Sequence, residues 1–264
     1  MKRRTRLAAA LPAATLVGLL WAGLGPSHGE RQPVASAGLA SLLASPPPAL
    51  KVEGPDRLPS ARYLSRWTVV RTPAAARVEP RSRSAVVARL ATTTPEGTAN
   101  VLTVLRAQTG ADGHVWVEVR LPVLPNGSVG WVRRRSLGAY QTVSTHLVVD
   151  RTRLHATLYR DGTRIFSAPV GIGTNASPTP AGEFTVRSEL THFASAFYGP
   201  AAFATTARSA VLTDWPGGGF IGIHGTDAPQ LLPGRVSHGC IRLRNSDILR
   251  LKALMPVGTP VTIR

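Results

Sequence analysis

The sequence predicts a mainly β protein: a small barrel, then a second β-rich domain with one short helix near its C-terminal end. Three observations support this prediction. From Trp67 nearly to the C-terminus, apolar and polar residues alternate with a period of two, which is typical of strands with one solvated face. The 264 residues include 25 Gly and 22 Pro, too many for an all-helical bundle. Only the segment after Cys240 has the apolar spacing and end signals of a helix.

The composition limits what the chain can be. Hydrophobic residues make up 43% of it, enough for a packed core, so it is not a disordered polycation despite a net charge of +17. The single cysteine, Cys240, allows neither an intramolecular disulfide nor a multi-cysteine metal cluster. This thiol therefore needs an explanation of its own.

Residues 1–29 have the layout of an export signal. A basic stretch from Lys2 to Arg6 precedes an uncharged apolar run from Leu7 to Leu24, and polar residues follow. The run approaches the length that spans a bilayer, so a cleaved signal peptide and a retained anchor both stay open. Either one predicts an exported protein, secreted or held at the cell wall or the periplasmic face of the membrane. Residues 30–65, rich in Pro and Ala, predict an extended linker.

Residues 66–141 predict a small barrel of five short strands, at Trp67–Val70, Ala85–Leu90, Val101–Ala107, Val115–Leu121 and Gly130–Arg133. Asn126 and Gly127 predict a hairpin turn in which both residues adopt positive φ. The run from Val115 to Val132, with Trp116 and Trp131, resembles bacterial SH3-like domains. The two tryptophans either line a ligand groove or fill the small core.

Residues 143–264 predict a second β domain. Two hairpins join the strands at 147–150, 154–159 and 164–170, with a turn at Asp161-Gly162. Further strands are predicted at Gly182–Arg187, Ala210–Thr213, Phe220–His224 and Thr259–Ile263. The helix is predicted to begin at an N-cap of Asn245 or Ser246 and to end before Pro256.

Two histidines flank the single thiol: His224 in Ile-His-Gly-Thr, and His238 in Ser-His-Gly-Cys. An imidazole can lower the pKa of a thiol and take up its proton, which gives a nucleophilic thiolate near neutral pH. The amides of Gly239 and Cys240 are candidates for an oxyanion site. A zinc site is disfavoured because His238 and Cys240, two residues apart, would strain a tetrahedral chelate. We therefore predict no metal and no cofactor, and an inert cysteine is the simpler alternative.

At these residues the sequence resembles the L,D-transpeptidase catalytic domain family of the YkuD type. The resemblance is carried by Ile223-His224-Gly225-Thr226 and Ser237-His238-Gly239-Cys240, and covers about residues 145–264. Segments 170–173 and 177–184 support it upstream. It implies that family's β-rich fold.

The resemblance also implies roles for individual residues. Cys240 would be the acyl-accepting nucleophile and His224 the general base, oriented by a backbone carbonyl near Gly225 or Thr226. His238 and Gly239 would shape the oxyanion site together with Cys240. Ser237 would support the loop or act as a simple turn residue.

Three further residues are candidates for substrate binding: Thr226, Arg242 and Asn245. Arg242 stands where a narrower form of the motif has Asn. It would bind a peptide carboxylate or brace the loop, and the alternative is a surface ion pair with Asp247 or Asp227.

The implied activity is peptidoglycan cross-linking. Cys240 would attack a tetrapeptide stem, release D-alanine and pass the acyl group from a thioester to an acceptor amine, forming a 3→3 cross-link. With water as acceptor the enzyme would be an L,D-carboxypeptidase. Carbapenem-type β-lactams are the implied covalent inhibitors.

Other function classes fit less well. Nucleic-acid binding is disfavoured because the basic residues are spread along the chain, which suits anionic cell-wall polymers instead. A papain-like hydrolase would have its cysteine at a helix start with the histidine downstream, whereas His224 precedes Cys240. A non-catalytic wall-binding protein stays open as an alternative.

Overall fold

A computed structural model describes residues 63–191, 195–213 and 218–264. The predicted signal or anchor, residues 1–29, and nearly all of the predicted linker, residues 30–65, lie outside these ranges. None of the helices in these ranges has both the length and the hydrophobicity of a membrane span. The described residues form two sheets and one α-helix, so the predicted mainly β fold class is confirmed.

The first sheet is entirely antiparallel, with the strand order β3-β2-β6-β5-β4-β1-β7. Its strands are β1 Ser65–Val69, β2 Ala74–Arg77, β3 Val86–Leu90, β4 Val101–Thr109, β5 Val115–Arg120, β6 Val129–Arg133 and β7 Gln141–Val143. The five predicted strands are all present. The alanine-rich β2 and the three-residue β7 were not predicted, because neither has a β-branched alternating pattern.

Side chains from alternate positions fill the core of this sheet. Leu102, Val117 and Val132 are fully buried there. Trp116 and Trp131 are buried as well, each beneath an arginine guanidinium, that of Arg133 and that of Arg106, so neither ring lines an exposed groove.

The turn between β5 and β6 differs from the prediction. Only Gly127 adopts positive φ, and Leu121 N–H bonds to the carbonyl of Ser128, so the connection is longer than a two-residue hairpin. The longer turn leaves the Asn126 side chain pointing away from its own strands. Its carboxamide bonds instead to the backbone of Arg208.

The second sheet is mixed, with the order β10-β9-β8-β17-β12-β13-β14-β16-β11-β15. Its elements are β8 Thr145–Asp150, β9 His155–Arg160, β10 Thr163–Pro169, β11 Gly171–Gly173, β12 Gly182–Leu190, β13 Ala202–Arg208, β14 Phe220–His224, β15 Gly234–Ser237, β16 Ile241–Arg242, α1 Asn245–Leu254 and β17 Pro260–Ile263. The hairpins β8–β9 and β9–β10 are those predicted. The helix buries Ile248 and Leu251 against the sheet.

Two local predictions in this sheet were wrong. No strand covers Ala210–Thr213, because the Ser209 hydroxyl accepts bonds from the amides of Val211 and Leu212 and turns the chain there. The strand lies earlier, at Ala202–Arg208. The helix has no side-chain N-cap, since Arg244 takes the N-cap position.

The strands β14 and β16 bring the two halves of the motif together. They pair in parallel, with Ile223 opposite Ile241 and His224 opposite Arg242. Both isoleucines are fully buried, and Leu243 N–H donates to the carbonyl of His224. Because Cys240 directly precedes β16, this register fixes the thiol beside the end of β14.

We expect Leu147→Ala, in the core of the second sheet, to lower the free energy of unfolding by about 2–5 kcal/mol, because Leu147 is fully buried. The matched change Leu249→Ala, at an exposed helix position, is expected to cost less than about 0.5 kcal/mol. Urea denaturation of both variants measures the difference. Equal losses would contradict the assigned core.

Candidate active site

His224 and Cys240 face the same narrow cleft at the end of β14. Gly222 lies between them: a side-chain carbon added there would lie 3.8 Å from Cys240 Sγ and 3.9 Å from His224 Cδ2. The absence of a side chain at position 222 therefore keeps the space beside the thiol and the imidazole open.

One hydrogen bond fixes the protonation pattern of His224. Its Nδ1 lies 2.6 Å from the carbonyl oxygen of Gly225. A carbonyl oxygen only accepts, so Nδ1 carries the proton and Nε2 is left with a free lone pair. Nε2 is buried and makes no hydrogen bond with any described residue. The imidazole is thus prepared to accept a proton at Nε2.

The environment keeps both groups neutral at rest. Burial lowers the pKa of His224 to about 4, with a further lowering by the positive charge of Arg242, against a raising effect from the bond to Gly225. Burial raises the pKa of the Cys240 thiol above its usual range, although the Gly222 amide, 3.4 Å from Sγ, favours the thiolate. The resting state is therefore a neutral thiol beside a neutral imidazole, not the ion pair expected from the sequence.

The loop that carries Cys240 is held by hydroxyl groups. Ser237 Oγ accepts from Gly239 N–H at 3.1 Å and donates to the Cys240 carbonyl at 2.6 Å. Thr179 Oγ1 donates to the Gly239 carbonyl at 2.6 Å and accepts from Gly173 N–H. Ser237 and Thr179 are both buried, so these bonds are shielded from water.

Gly239 is required by the shape of this loop. Its φ is 118°, and an added side-chain carbon would lie 2.9 Å from Ile221 Cδ1. The Gly239 amide donates to Ser237 Oγ. Of the two predicted oxyanion donors, the Cys240 N–H is therefore the one that makes no hydrogen bond with the described residues. His238, next to it, is exposed and lines the cleft.

Thr226 and Asn245 lie behind His224 and do not line the cleft. Asn245 Oδ1 accepts from Thr226 N–H at 2.9 Å, which explains why this side chain does not cap the helix. The same oxygen fills the space beside Gly199 and Gly225, where an added side-chain carbon would lie 2.4 Å from it. Asn245 therefore holds the turn whose carbonyl orients His224.

Arg242 is buried and faces the cleft. It forms no ion pair with Asp227 or Asp247, and the described partner of Asp247 is Arg250, at 3.6 Å. Its guanidinium lies 4.4 Å from the ring centroid of Phe197, and its Nε is buried without a partner. A buried positive charge without an acidic partner is suited to bind an anion that enters the cleft.

Three aromatic residues that the sequence did not single out complete the cleft. Tyr198 packs edge-on against the His224 ring at 5.1 Å, and Phe197 lies 5.8 Å from the same ring. Phe220 lines the same cleft. The adjacent pair Phe197-Tyr198 before Gly199-Pro200 was a visible signal, but nothing in a single sequence relates it to His224.

No cluster of three or more His, Cys, Asp or Glu side chains with the spacing of a metal site occurs in residues 63–191, 195–213 and 218–264. His224, Cys240 and Arg242 are brought together in the cleft, with His238 at its rim. The arrangement supplies a nucleophile, a base and a positive charge, which are the parts that acyl transfer needs.

Residues 144–263 match the model of the family described as YkuD, L,D-transpeptidase catalytic domain. A Bacillus subtilis (strain 168) protein named "Putative L,D-transpeptidase YkuD" is 29% identical over 122 residues, which is 46% of this chain and 67% of that protein. The second sheet and the whole cleft fall in the matched region. The first sheet falls outside it, so its SH3-like character stays a prediction.

Two solved structures are each similar to a little under half of the chain. A mutant of the Enterococcus faecium L,D-transpeptidase has 26% identity and a TM-score of 0.36, covering 46% of this chain and 49% of that one. The structure described as the Ldtfm-avibactam carbamoyl enzyme has 27% identity and a TM-score of 0.35, covering 46% and 48%. This chain spans about half the length of each.

The lowered pKa of His224 makes stability depend on pH. Below pH 6.5 the unfolded chain binds a proton at this residue, whereas the folded protein does so only near pH 4, so stability is lost as the pH falls. Between pH 7.5 and pH 4 we expect this residue to cost about 3 kcal/mol. Urea denaturation at both pH values should show that loss in the wild type and not in His224→Asn. The matched change of the exposed His114→Asn should retain it, and a loss of equal size in all three proteins would contradict the assignment.

Proposed function

We propose that the chain is an exported L,D-transpeptidase that forms 3→3 cross-links between peptidoglycan stems. The observation that carries this proposal is a single cleft lined by His224, whose Nε2 is buried and unpartnered, by Cys240 and by the positively charged Arg242. The match of residues 144–263 to the L,D-transpeptidase catalytic domain supports the same reaction class.

In the first step Cys240 attacks the carbonyl that joins the diamino acid of a tetrapeptide stem to its terminal D-alanine. As the sulfur–carbon bond forms, the thiol proton passes to His224 Nε2, so the neutral pair becomes charged only during the reaction. The hydrogen bond to the Gly225 carbonyl stabilises the imidazolium. Until the substrate is in place, the Cys240 thiol keeps its proton and the imidazole of His224 stays neutral.

The negative charge on the attacked oxygen needs a donor. The Cys240 N–H fills this role in our proposal, since it makes no hydrogen bond with the described residues, and His238 lies at the same rim. When the tetrahedral intermediate collapses, the carbon–nitrogen bond breaks and His224 returns its proton to the leaving amine of D-alanine. The acyl group remains on Cys240 as a thioester.

In the second step an amine from another stem attacks the thioester. His224 takes the proton of that amine, the carbon–sulfur bond breaks, and Cys240 recovers a proton. Water in place of the amine would give the carboxypeptidase reaction, and the products of the assay below distinguish the two.

The remaining regions fit an envelope enzyme. The basic, then apolar segment at residues 1–29 supports export, with the protein secreted or held at the cell wall or the periplasmic face of the membrane. The net charge of +17, spread along the chain, supports contact with anionic cell-wall polymers.

We expect the wild type to form a covalent adduct with a carbapenem and to convert tetrapeptide stems into 3→3 muropeptides with release of D-alanine. Cys240→Ser should do neither, and His224→Ala should lower the acylation rate by about 100-fold or more. His114→Ala, at an exposed histidine far from the motif, is the matched control. Intact-protein and muropeptide mass spectrometry measure both reactions. An unmodified wild type that produces no cross-links would overturn the proposal, and D-alanine release without cross-links would assign the carboxypeptidase.

Arg242 is proposed to bind the carboxylate of the leaving D-alanine. Arg242→Gln should raise KM for the tetrapeptide by about 10- to 100-fold, because a charge-assisted hydrogen bond is lost. The exposed Arg244→Gln is the matched control and should leave KM within about twofold.

A donor ending in D-alaninamide separates carboxylate binding from a general effect of Arg242 on the cleft. With this donor, which lacks the carboxylate, the wild type and Arg242→Gln should have similar KM values. If Arg242→Gln is equally impaired with both donors, the guanidinium does not bind the carboxylate.

A further inference from the structure

The first sheet contacts the wall of the cleft in the second through two turn residues. Glu96 lies in the turn between β3 and β4, and Asn126 in the turn between β5 and β6. Each bonds to an arginine of the second sheet, Glu96 to Arg187 on β12 and Asn126 to Arg208 on β13. The guanidinium groups of both arginines lie against the ring of Phe220, which lines the cleft with Cys240 and His224.

The contact through Glu96 is short and shielded. Glu96 Oε1 lies 2.5 Å from Arg187 Nη2, and the Arg187 side chain is only 2% exposed. Arg187 Cζ lies 3.7 Å from the Phe220 ring centroid. One face of Phe220 therefore rests on a guanidinium whose position is set by a carboxylate of the first sheet.

The two arginines repel each other, and Glu96 offsets that repulsion. Burial and the nearby Arg208 both lower the pKa of Arg187, while Glu96 raises it. Arg187 Nε is buried without a partner, and Glu96 is the acidic group that pairs with Arg187 among the described residues. Removal of the Glu96 charge would leave two like charges against one ring, and the arrangement around Phe220 would have to change.

The contact through Asn126 holds the backbone of the same wall. Its Nδ2 donates to the Arg208 carbonyl at 2.7 Å and its Oδ1 accepts from the Arg208 amide at 3.0 Å, like a short piece of strand pairing. Arg208 pairs across the sheet with Phe220, and its Nη2 donates to the Gly218 carbonyl at 2.6 Å. Asn126 thus holds the end of β13 in place, and Phe220 on β14 pairs with that end.

We propose that Glu96 and Asn126 are positioning residues, through which the first sheet sets the place of Phe220 and hence the width of the cleft over Cys240. This rests on the proposed function only insofar as the cleft binds the donor. In this proposal the first sheet contributes to the reaction by shaping the cleft, without binding a ligand itself.

The test compares three reagents on Cys240 in the full chain: a carbapenem, N-phenylmaleimide and iodoacetamide. The carbapenem needs an accurately shaped cleft, N-phenylmaleimide reports the space around the thiol, and the small iodoacetamide reports the thiol and His224 alone. The variants are Glu96→Gln and Asn126→Ala. The control is Glu79→Gln, which removes the same charge from an exposed pair with Arg81 in the connection between β2 and β3.

We expect Glu96→Gln and Asn126→Ala to lower the carbapenem acylation rate by about tenfold and to raise the N-phenylmaleimide rate several-fold, with iodoacetamide unchanged within about twofold. Glu79→Gln should behave as the wild type with all three reagents. The double variant Glu96→Gln/Arg187→Gln should be no slower with the carbapenem than Arg187→Gln alone, because Glu96 acts on Phe220 through Arg187.

Carbapenem and N-phenylmaleimide rates equal to those of the wild type in both variants would overturn the proposal. An equal change in rate with all three reagents would also overturn the proposal, because it would indicate general unfolding and not a displacement of Phe220. If Glu96→Gln does not fold, Asn126→Ala decides. If the wild type itself does not react with the carbapenem, the proposed function fails, and the ratio of the N-phenylmaleimide and iodoacetamide rates still decides whether Glu96 and Asn126 position Phe220.

Discussion

The hydrogen bond from His224 Nδ1–H to the Gly225 carbonyl is the interaction on which the rest of the site depends. It uses the nearest backbone acceptor in place of a carboxylate, so the imidazole is oriented without a second charge in the cleft. The turn that presents this carbonyl is held by the Asn245 carboxamide. The parallel pairing of β14 with β16 then brings Cys240 into the cleft that His224 lines. Together these contacts leave Nε2 with a free lone pair in a residue that lines the same cleft as Cys240.

Burial and the charge of Arg242 act in the same direction on His224 and in opposite directions on Cys240. Burial favours the neutral forms of His224 and Cys240, while Arg242 disfavours an imidazolium and favours a thiolate. The balance leaves both groups uncharged at rest, so in the proposed reaction the proton moves only when a substrate replaces water in the cleft. The buried guanidinium of Arg242 is stabilised by packing on the ring of Phe197. An anionic group of the substrate would supply the negative charge that no described residue places beside Arg242.

The sequence predicts features that neighbouring residues determine, and it does not predict contacts between residues that are far apart along the chain. The pair His224 and Cys240 follows from local motifs, most strands follow from alternation, and the carbonyl near Gly225 or Thr226 is what the family resemblance implies. The helix N-cap failed because Asn245, a good capping residue, is used by a turn far away in sequence. The oxyanion prediction did not anticipate that Ser237 takes the Gly239 amide. The contacts of Glu96 with Arg187 and of Asn126 with Arg208 join different sheets, and no pattern within a single sequence reports them.

The central claim is that His224 rests as a neutral imidazole with its proton on Nδ1 and Nε2 free. Nitrogen-detected NMR of protein labelled with ¹⁵N-histidine measures this directly, with the His224 signals assigned by their loss in His224→Asn. The account predicts the neutral tautomer protonated at Nδ1 from pH 8 down to about pH 5, with protonation of the ring only near pH 4. A doubly protonated His224 at neutral pH, paired with a Cys240 thiolate, or a tautomer protonated at Nε2, would contradict it.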